Sequence, residues 1–199
     1  TGFGATFAVN VKNDDTPSET LVGLGDFGSL GLDVGLAAEA IVEDLGGGMK
    51  ALLEHPDQLA LWRDRPDLDS GAAKEIIRWV SPVRHMVRTA TEDLELRGSR
   101  IRSGDNIALW YPAANRDPEV FDQPNRLDLQ RDPKIQLAFG YGSHMCLGQH
   151  LAVLEVELFF RELLPRLKNI EMAADPEWVQ AIFVGGLKSM PVRYGFESL

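Results

Sequence analysis

Cysteine occurs once in the 199 residues, at position 146. A single thiol excludes an internal disulfide and any zinc or iron–sulfur centre built from several cysteines. Long apolar runs are missing too: no uninterrupted stretch approaches the roughly 20 residues that span a bilayer. No basic, apolar leader ending in small residues is visible, so a cytoplasmic location without a membrane span is expected. Basic residues are in deficit, 20 Lys and Arg against 30 Asp and Glu, for a net charge of −10. Phosphodiester backbones repel such a chain, and nucleic acid is not an expected partner.

The deficit is uneven. Residues 1–69 carry 13 acids and 4 bases, whereas residues 70–199 carry 17 and 16. Residues 1–36 also hold seven glycines, with no strand–turn–helix context to make them a phosphate-binding loop. The expected organisation is an atypical glycine-rich, acidic lead over 1–36, followed by one core-forming region over 37–199.

From Gly35 the apolar spacing turns helical, with Leu45, Met49, Leu52 and Leu53 recurring on one face. Gly46, Gly47 and Gly48 interrupt it, each weaker than alanine by about 1 kcal/mol. They are compatible with a bend, with close packing against a flat neighbour, or with fraying. Pro56 opens a second helix and Pro66 closes it. Asp69 and Ser70 are suitable N-caps for a third, reaching about Val80. "VRTATEDLELRGSRIRSGDNIALWY" alternates, with turns at Gly98 and Gly104, and predicts a small antiparallel sheet. Residues 112–138 contain four prolines and read as irregular. Leu147, Leu151, Leu154, Leu158 and Leu163 trace one face of a helix ending near Pro165. A hairpin is expected to turn at Gly185–Gly186. The predicted fold is mainly α with small antiparallel β-sheets.

The lone cysteine lies in "FGYGSHMCLGQ", residues 139–149. A random window matches Phe-Gly-x-Gly-x-His-x-Cys-x-Gly at roughly 10⁻⁸. The spacing puts Cys146 where a loop becomes a helix, and free N–H groups there stabilise a thiolate. Gly140, Gly142 and Gly148 remove side chains that would hold the backbone away from a macrocycle. His144, two residues before the thiol, is placed to meet a carboxylate at the ring's edge. A thiolate as axial ligand to haem iron donates electron density that favours O–O cleavage. A cysteine-nucleophile hydrolase is the weaker alternative, because His144 in a glycine loop is poorly placed as a base.

These ten residues resemble the signature loop of the cytochrome P450 superfamily, the haem–thiolate monooxygenases. The resemblance implies Cys146 as axial ligand to the iron of haem b (iron protoporphyrin IX), His144 as a propionate contact, and Phe139 packed near the sulfur. It extends to "KEIIRW", where Glu75 and Arg78 stand at i, i+3 and can pair. By itself such a pair is commonly a surface feature worth about 0.5 kcal/mol or less. The family completes it with an arginine that "FDQPNRL" supplies as Arg126, giving a structural triad Glu75–Arg78–Arg126. "SPVRHMVRTA" matches a following segment: Arg88 is implied as a second propionate contact, with Val83, His85 and Met86 lining the substrate cavity. His85 is equally open to being an ordinary polar strand residue. Phe183 and Val184 are implied to enter the same cavity, and "WYPAANRDPEVF" is a further family-like run.

The resemblance implies insertion of one oxygen atom of O2 into a small hydrophobic substrate of sterol, fatty acyl or terpenoid type. Electrons come from NAD(P)H through a ferredoxin or flavoprotein reductase. Counting back from "LLEHPDQ" aligns Glu39 with the family's proton-carrying acid and Ala40 with a threonine. A truncated haem-binding remnant without monooxygenase activity is the alternative, since family members are considerably longer.

Overall fold

Helix α1 runs unbroken from Leu32 to Glu54, straight through the three consecutive glycines. The structure, a computed structural model, describes residues 11–12 and 32–196, with side chains from residue 40 onward. Gly47 and Gly48 serve close packing. A Cβ added at Gly48 would lie 2.6 Å from Ile76 Cγ2 and 3.0 Å from Phe160 Cζ, and one at Gly47 would lie 2.9 Å from both Val80 methyls. The helix therefore rests its backbone on the side chains of its neighbours. The boundary expected between residues 36 and 37 falls inside α1; most of the lead lies outside the described residues.

Helix α2 spans Pro56–Asp64 and α3 spans Asp69–Val80, joined by a 3-10 turn at Pro66–Leu68. The expected cap differs. Asp69 is already helical, Leu68 occupies the cap position, and the Asp69 carboxylate accepts a 2.8 Å bond from Trp62 Nε1. Helix α3 ends in left-handed Ser81, whose hydroxyl donates to the Arg78 carbonyl at 2.8 Å.

Strand β2 (His85–Thr89) pairs antiparallel with β5 (Asn106–Trp110), setting His85 opposite Trp110 and Arg88 opposite Ile107. Between them β3 (Leu94–Leu96) and β4 (Ser99–Ile101) form a hairpin. Its two turn residues, Arg97 and Gly98, both have positive φ, as a tight hairpin turn requires. A single helical turn, α4 (Tyr111–Ala114), follows β5 directly.

Helix α5 (Gln149–Leu163) packs against α3 and α1. The leucines expected to trace one face of this helix are mostly not its core face. Ala152, Val156 and Phe160 are buried, while Leu147, Leu151, Leu154 and Leu158 are exposed. The helix has two apolar faces, and the one with a small residue lets α3 approach. Leu163 does pack against the core, whose most buried members include Leu52, Ile76, Ile77, Leu127, Leu129 and Phe160.

The C-terminal strands are β6 (Leu167–Met172), β7 (Glu177–Trp178), β8 (Leu187–Ser189) and β9 (Val192–Phe196). β6 pairs antiparallel with β9, and β7 with β8; β1 (Val11–Lys12) adds a short parallel pairing to β9. Gly185–Gly186 is therefore not the tip of a hairpin formed by the tail. It lies on the returning arm of the β7–β8 loop, where Val179 N–H donates to the Gly186 carbonyl at 3.0 Å. A side chain at Gly185 would overlap the Arg84 guanidinium, and one at Gly186 the Glu43 carboxyl. Among the described residues no helix is long and apolar enough to cross a membrane.

Candidate active site

Glu75 and Arg78 are both completely buried, one turn apart on α3. Arg78 donates from Nε to Glu75 Oε2 at 2.7 Å and from Nη2 to Oε1 at 2.8 Å. Its Nη1 reaches the carbonyls of Asn115 (2.6 Å) and Pro124 (3.1 Å). The third arginine is Arg131, not Arg126. Arg131 Nε donates to Glu75 Oε1 at 3.2 Å, and its terminal nitrogens hold the carbonyls of Asp122, Gln123 and Arg126. Arg126 has an exposed side chain and contributes its carbonyl. Gln123 and Asp132, which flank the stretch carrying both arginines, have positive φ. A buried ion pair is stable only when its remaining donors are satisfied, and here main-chain carbonyls do this.

Asn115 carries the connection onward. Its Oδ1 accepts from Leu137 N–H at 2.6 Å and its Nδ2 donates to Ser81 Oγ at 2.8 Å. The asparagine, fully buried, joins the end of α3 to the entry of the cysteine loop. Tyr111 makes a second link: its N–H bonds the Arg84 carbonyl, and its hydroxyl lies 3.1 Å from where a Gly140 Cβ would stand. Gly140 has φ of 74°, so the position is closed to other residues by both conformation and space. Neither Asn115 nor Tyr111 was assigned a role from sequence, although both fall in or beside the run "WYPAANRDPEVF".

The cysteine loop closes on itself. Cys146 N–H donates to the Phe139 carbonyl at 2.9 Å, and Phe139 is packed against the core. A 3-10 turn at Gly142–His144 fills the interval, with Met145 N–H bonded to the Gly142 carbonyl at 3.1 Å. Helix α5 begins only at Gln149, with Gly148 at its cap, so Cys146 stands three residues ahead of the helix rather than at its first residue. A Cβ at Gly148 would touch Cys146 Sγ at 3.9 Å, and one at Gly142 would meet nothing within 4 Å. The thiol is half-buried and His144 is exposed.

Several cavity-lining candidates come together. Val83 bridges Val184, Arg84 N–H donates to the Phe183 carbonyl at 2.8 Å, and the His85 ring lies 4.8 Å from Trp110 and 5.9 Å edge-on from Phe183. Met86, opposite Leu109, and Arg88 are half-buried on the same strand. Arg88 donates to the Val87 carbonyl at 3.0 Å. His85 Nδ1 and Arg84 Nε are buried without hydrogen-bond partners.

Glu39 falls within α1, but its side chain lies outside the described residues. Five residues on, Asp44 is a buried carboxyl that sequence reasoning missed. Its Oδ1 has no hydrogen-bond partner, and burial, reinforced by the neighbouring charge of Glu43, raises its pKa well above the ordinary value.

The donor set fits a haem. Among the described residues no group of three or more His, Cys, Asp or Glu gathers as a metal site. Cys146 instead offers one half-buried thiol in a loop whose Tyr141, Met145 and Leu147 are exposed, and a Cβ at Gly142 would meet nothing within 4 Å. One sulfur ligand would suit a haem, whose macrocycle would supply the iron's nitrogen ligands.

The pattern of the Cytochrome P450 family matches residues 67–181, which include Glu75, Arg78, Arg88, Arg131 and Cys146. Cytochrome P450-terp of a Pseudomonas species is 49% identical over 149 residues, 75% of this chain and 35% of that protein. A steroid C26-monooxygenase of Mycobacterium tuberculosis (strain CDC 1551 / Oshkosh) is 42% identical over 153 residues, 75% of this chain and 41% of its own length. The crystal structure of CYP108D1 from Novosphingobium aromaticivorans superposes with a TM-score of 0.74 at 42% identity, covering 80% of this chain and 39% of that one. The chain thus spans well under half the length of the relatives it matches. With the signature loop, the buried ion-pair cluster and the family pattern all coinciding, the chain belongs to the cytochrome P450 family.

Proposed function

We propose that residues 37–199 form the haem-binding part of a haem–thiolate monooxygenase, preceded by an atypical lead over 1–36. The observation that carries this reading is the closed Phe139–Cys146 loop, which offers a single half-buried thiol. Haem b, when bound, supplies O2 activation and insertion of one oxygen atom into the substrate, with electrons from NAD(P)H through a ferredoxin or flavoprotein reductase. Cys146 ligates the iron. Arg88 and His144 hold the propionates. Gly140 and Gly148 let the backbone approach the ring, and Phe139 fixes the cysteine main chain to the core. Val83, His85, Met86, Phe183 and Val184 line the substrate side, and Glu39 carries protons. A sterol, fatty acyl or terpenoid substrate is supported by the steroid C26-monooxygenase among the relatives, and a cytoplasmic setting by the absence of a spanning helix among the described residues.

The test is a carbon monoxide difference spectrum of the reduced, purified chain. Absorption near 450 nm is expected, and Cys146→Ala should abolish it. A band unchanged in Cys146→Ala would remove the proposal. A second reading, a haem-binding remnant without monooxygenase activity, is favoured by Ala40 standing where the resemblance places a threonine. Product formed per NADPH oxidised, compared between the chain and Ala40→Thr, separates the two. Efficient coupling in the chain itself overturns the remnant reading, whereas low coupling that rises in Ala40→Thr supports it and assigns the loss to the missing hydroxyl.

A further inference from the structure

A cavity of about 520 Å³ opens between α1, the end of α3 and the returning arm of the β7–β8 loop, and both Arg84 and Arg116 line it. Its lining includes no residue of the cysteine loop and none of Val83, His85, Met86, Phe183 or Val184. The walls are largely apolar, from Trp79, Val80, Pro112, Trp178 and Leu187. An apolar concavity of this size with a few charged groups is the usual form of a small-molecule site.

The charged groups of the lining fall into two sets. Lys50 and Glu54 pair at 2.6 Å, and Glu43 accepts from Leu187 N–H at 2.7 Å. The arginines have no carboxylate partner among the described residues. Arg116 donates to the main-chain carbonyls of Trp79 at 2.8 Å and Pro112 at 3.5 Å, with its guanidinium 5.1 Å from the Trp79 ring. Burial first, and the Arg78 charge second, pull its pKa below the ordinary value, a cost that an anion beside it offsets. Arg84 Nε is buried without a hydrogen-bond partner, and its guanidinium packs on the main chain at Gly185. A buried donor left without an acceptor is costly, and a carboxylate is the planar acceptor that a guanidinium fork matches. Lys50, Arg84 and Arg116 against Glu43 and Glu54 leave the lining with one positive charge. One carboxylate neutralises it, whereas a phosphate dianion overshoots. We propose that this cavity binds an organic monocarboxylate, its carboxylate held by Arg84 and Arg116 and its apolar body against Trp79, Trp178 and Leu187. Occupancy uses no group assigned to the haem, so it stands or falls apart from the 450 nm band.

Isothermal titration calorimetry of the full purified chain with 4-phenylbutyrate tests this. Saturable one-to-one binding is expected. 4-Phenylbutyramide, of the same shape but uncharged, should bind at least tenfold more weakly. Arg84→Met keeps an apolar stem without the guanidinium and should weaken 4-phenylbutyrate at least tenfold, with far-UV circular dichroism unchanged. Arg116 stays unaltered because it also holds the Trp79 carbonyl. Three outcomes overturn the proposal: no saturable binding, an amide that binds as tightly as the carboxylate, or binding undiminished in Arg84→Met. The amide comparison needs no variant, so it decides the matter even where Arg84→Met does not fold.

Discussion

Arg131 Nε donates to Glu75 Oε1 at 3.2 Å across 56 residues of sequence, completing a buried cluster that Arg126 does not join. Arg131→Ala should lose charge-assisted bonds worth roughly 1.5–3 kcal/mol, and Arg126→Ala should stay within about 0.5 kcal/mol of the parent. Glu75→Ala leaves Arg78 buried and unpaired, costing about 3–5 kcal/mol. Denaturant titration of the three variants gives the order. Equal loss in Arg126→Ala and Arg131→Ala would show the cluster is misassigned.

The glycine run divides by position. Gly48→Ala forces a methyl against stiff Ile76 and the Phe160 ring, an overpacking worth about 1–3 kcal/mol that outweighs the helix-propensity gain. At Gly46 the nearest atom to an added Cβ is Leu187 Cδ1 at 3.6 Å, an ordinary contact. Gly46→Ala should therefore stabilise by up to about 1 kcal/mol. Opposite shifts in melting temperature are expected; a stabilising Gly48→Ala would contradict the packing described.

Asp44 makes stability depend on pH. Native Asp44 holds its proton to a higher pH than the unfolded chain, through burial first and the Glu43 charge second. The native state then binds more protons, and stability falls as pH rises from the ordinary carboxyl value of 3.8 through the raised native value. Asp44→Asn, neutral and nearly isosteric, should melt higher than the parent at pH 7–8 and lose that advantage below pH 4. A constant difference across that range would assign the effect to packing.

Asn115→Ala removes the acceptor for Leu137 N–H and the donor to Ser81 Oγ. Each buried group left unsatisfied costs about 1–3 kcal/mol. The cysteine loop should loosen along with the fold, so the 450 nm band should weaken in parallel with melting temperature. A fully stable variant with normal haem content would show that water replaces the amide.

Legibility in the sequence followed the range of the interaction. Cys146 with its glycines and Glu75 with Arg78 were readable because a few adjacent residues carry the geometry. Arg131 was not, because either arginine of "NRLDLQR" satisfies the chemistry and only the folded position of each decides which meets Glu75. The buried face of α5 was not legible either: the leucine spacing marks one face, whereas Ala152, Val156 and Phe160 are the residues buried. Asn115 gave no signal beyond its place in a family-like run, since a hub is defined by partners 22 and 34 residues away.

The guanidinium groups of Arg78 and Arg131 together grip five main-chain carbonyls of an otherwise irregular segment. During synthesis, α3 emerges with Glu75 and Arg78 already on one face, but Arg131 must follow 56 residues later. At 5–20 residues per second that is a wait of roughly 3–11 s. Throughout it a carboxylate and a guanidinium destined for the interior must stay hydrated. A ribosome stall between the codons for Arg78 and Arg131 would hold the nascent chain with its ionic centre unsealed.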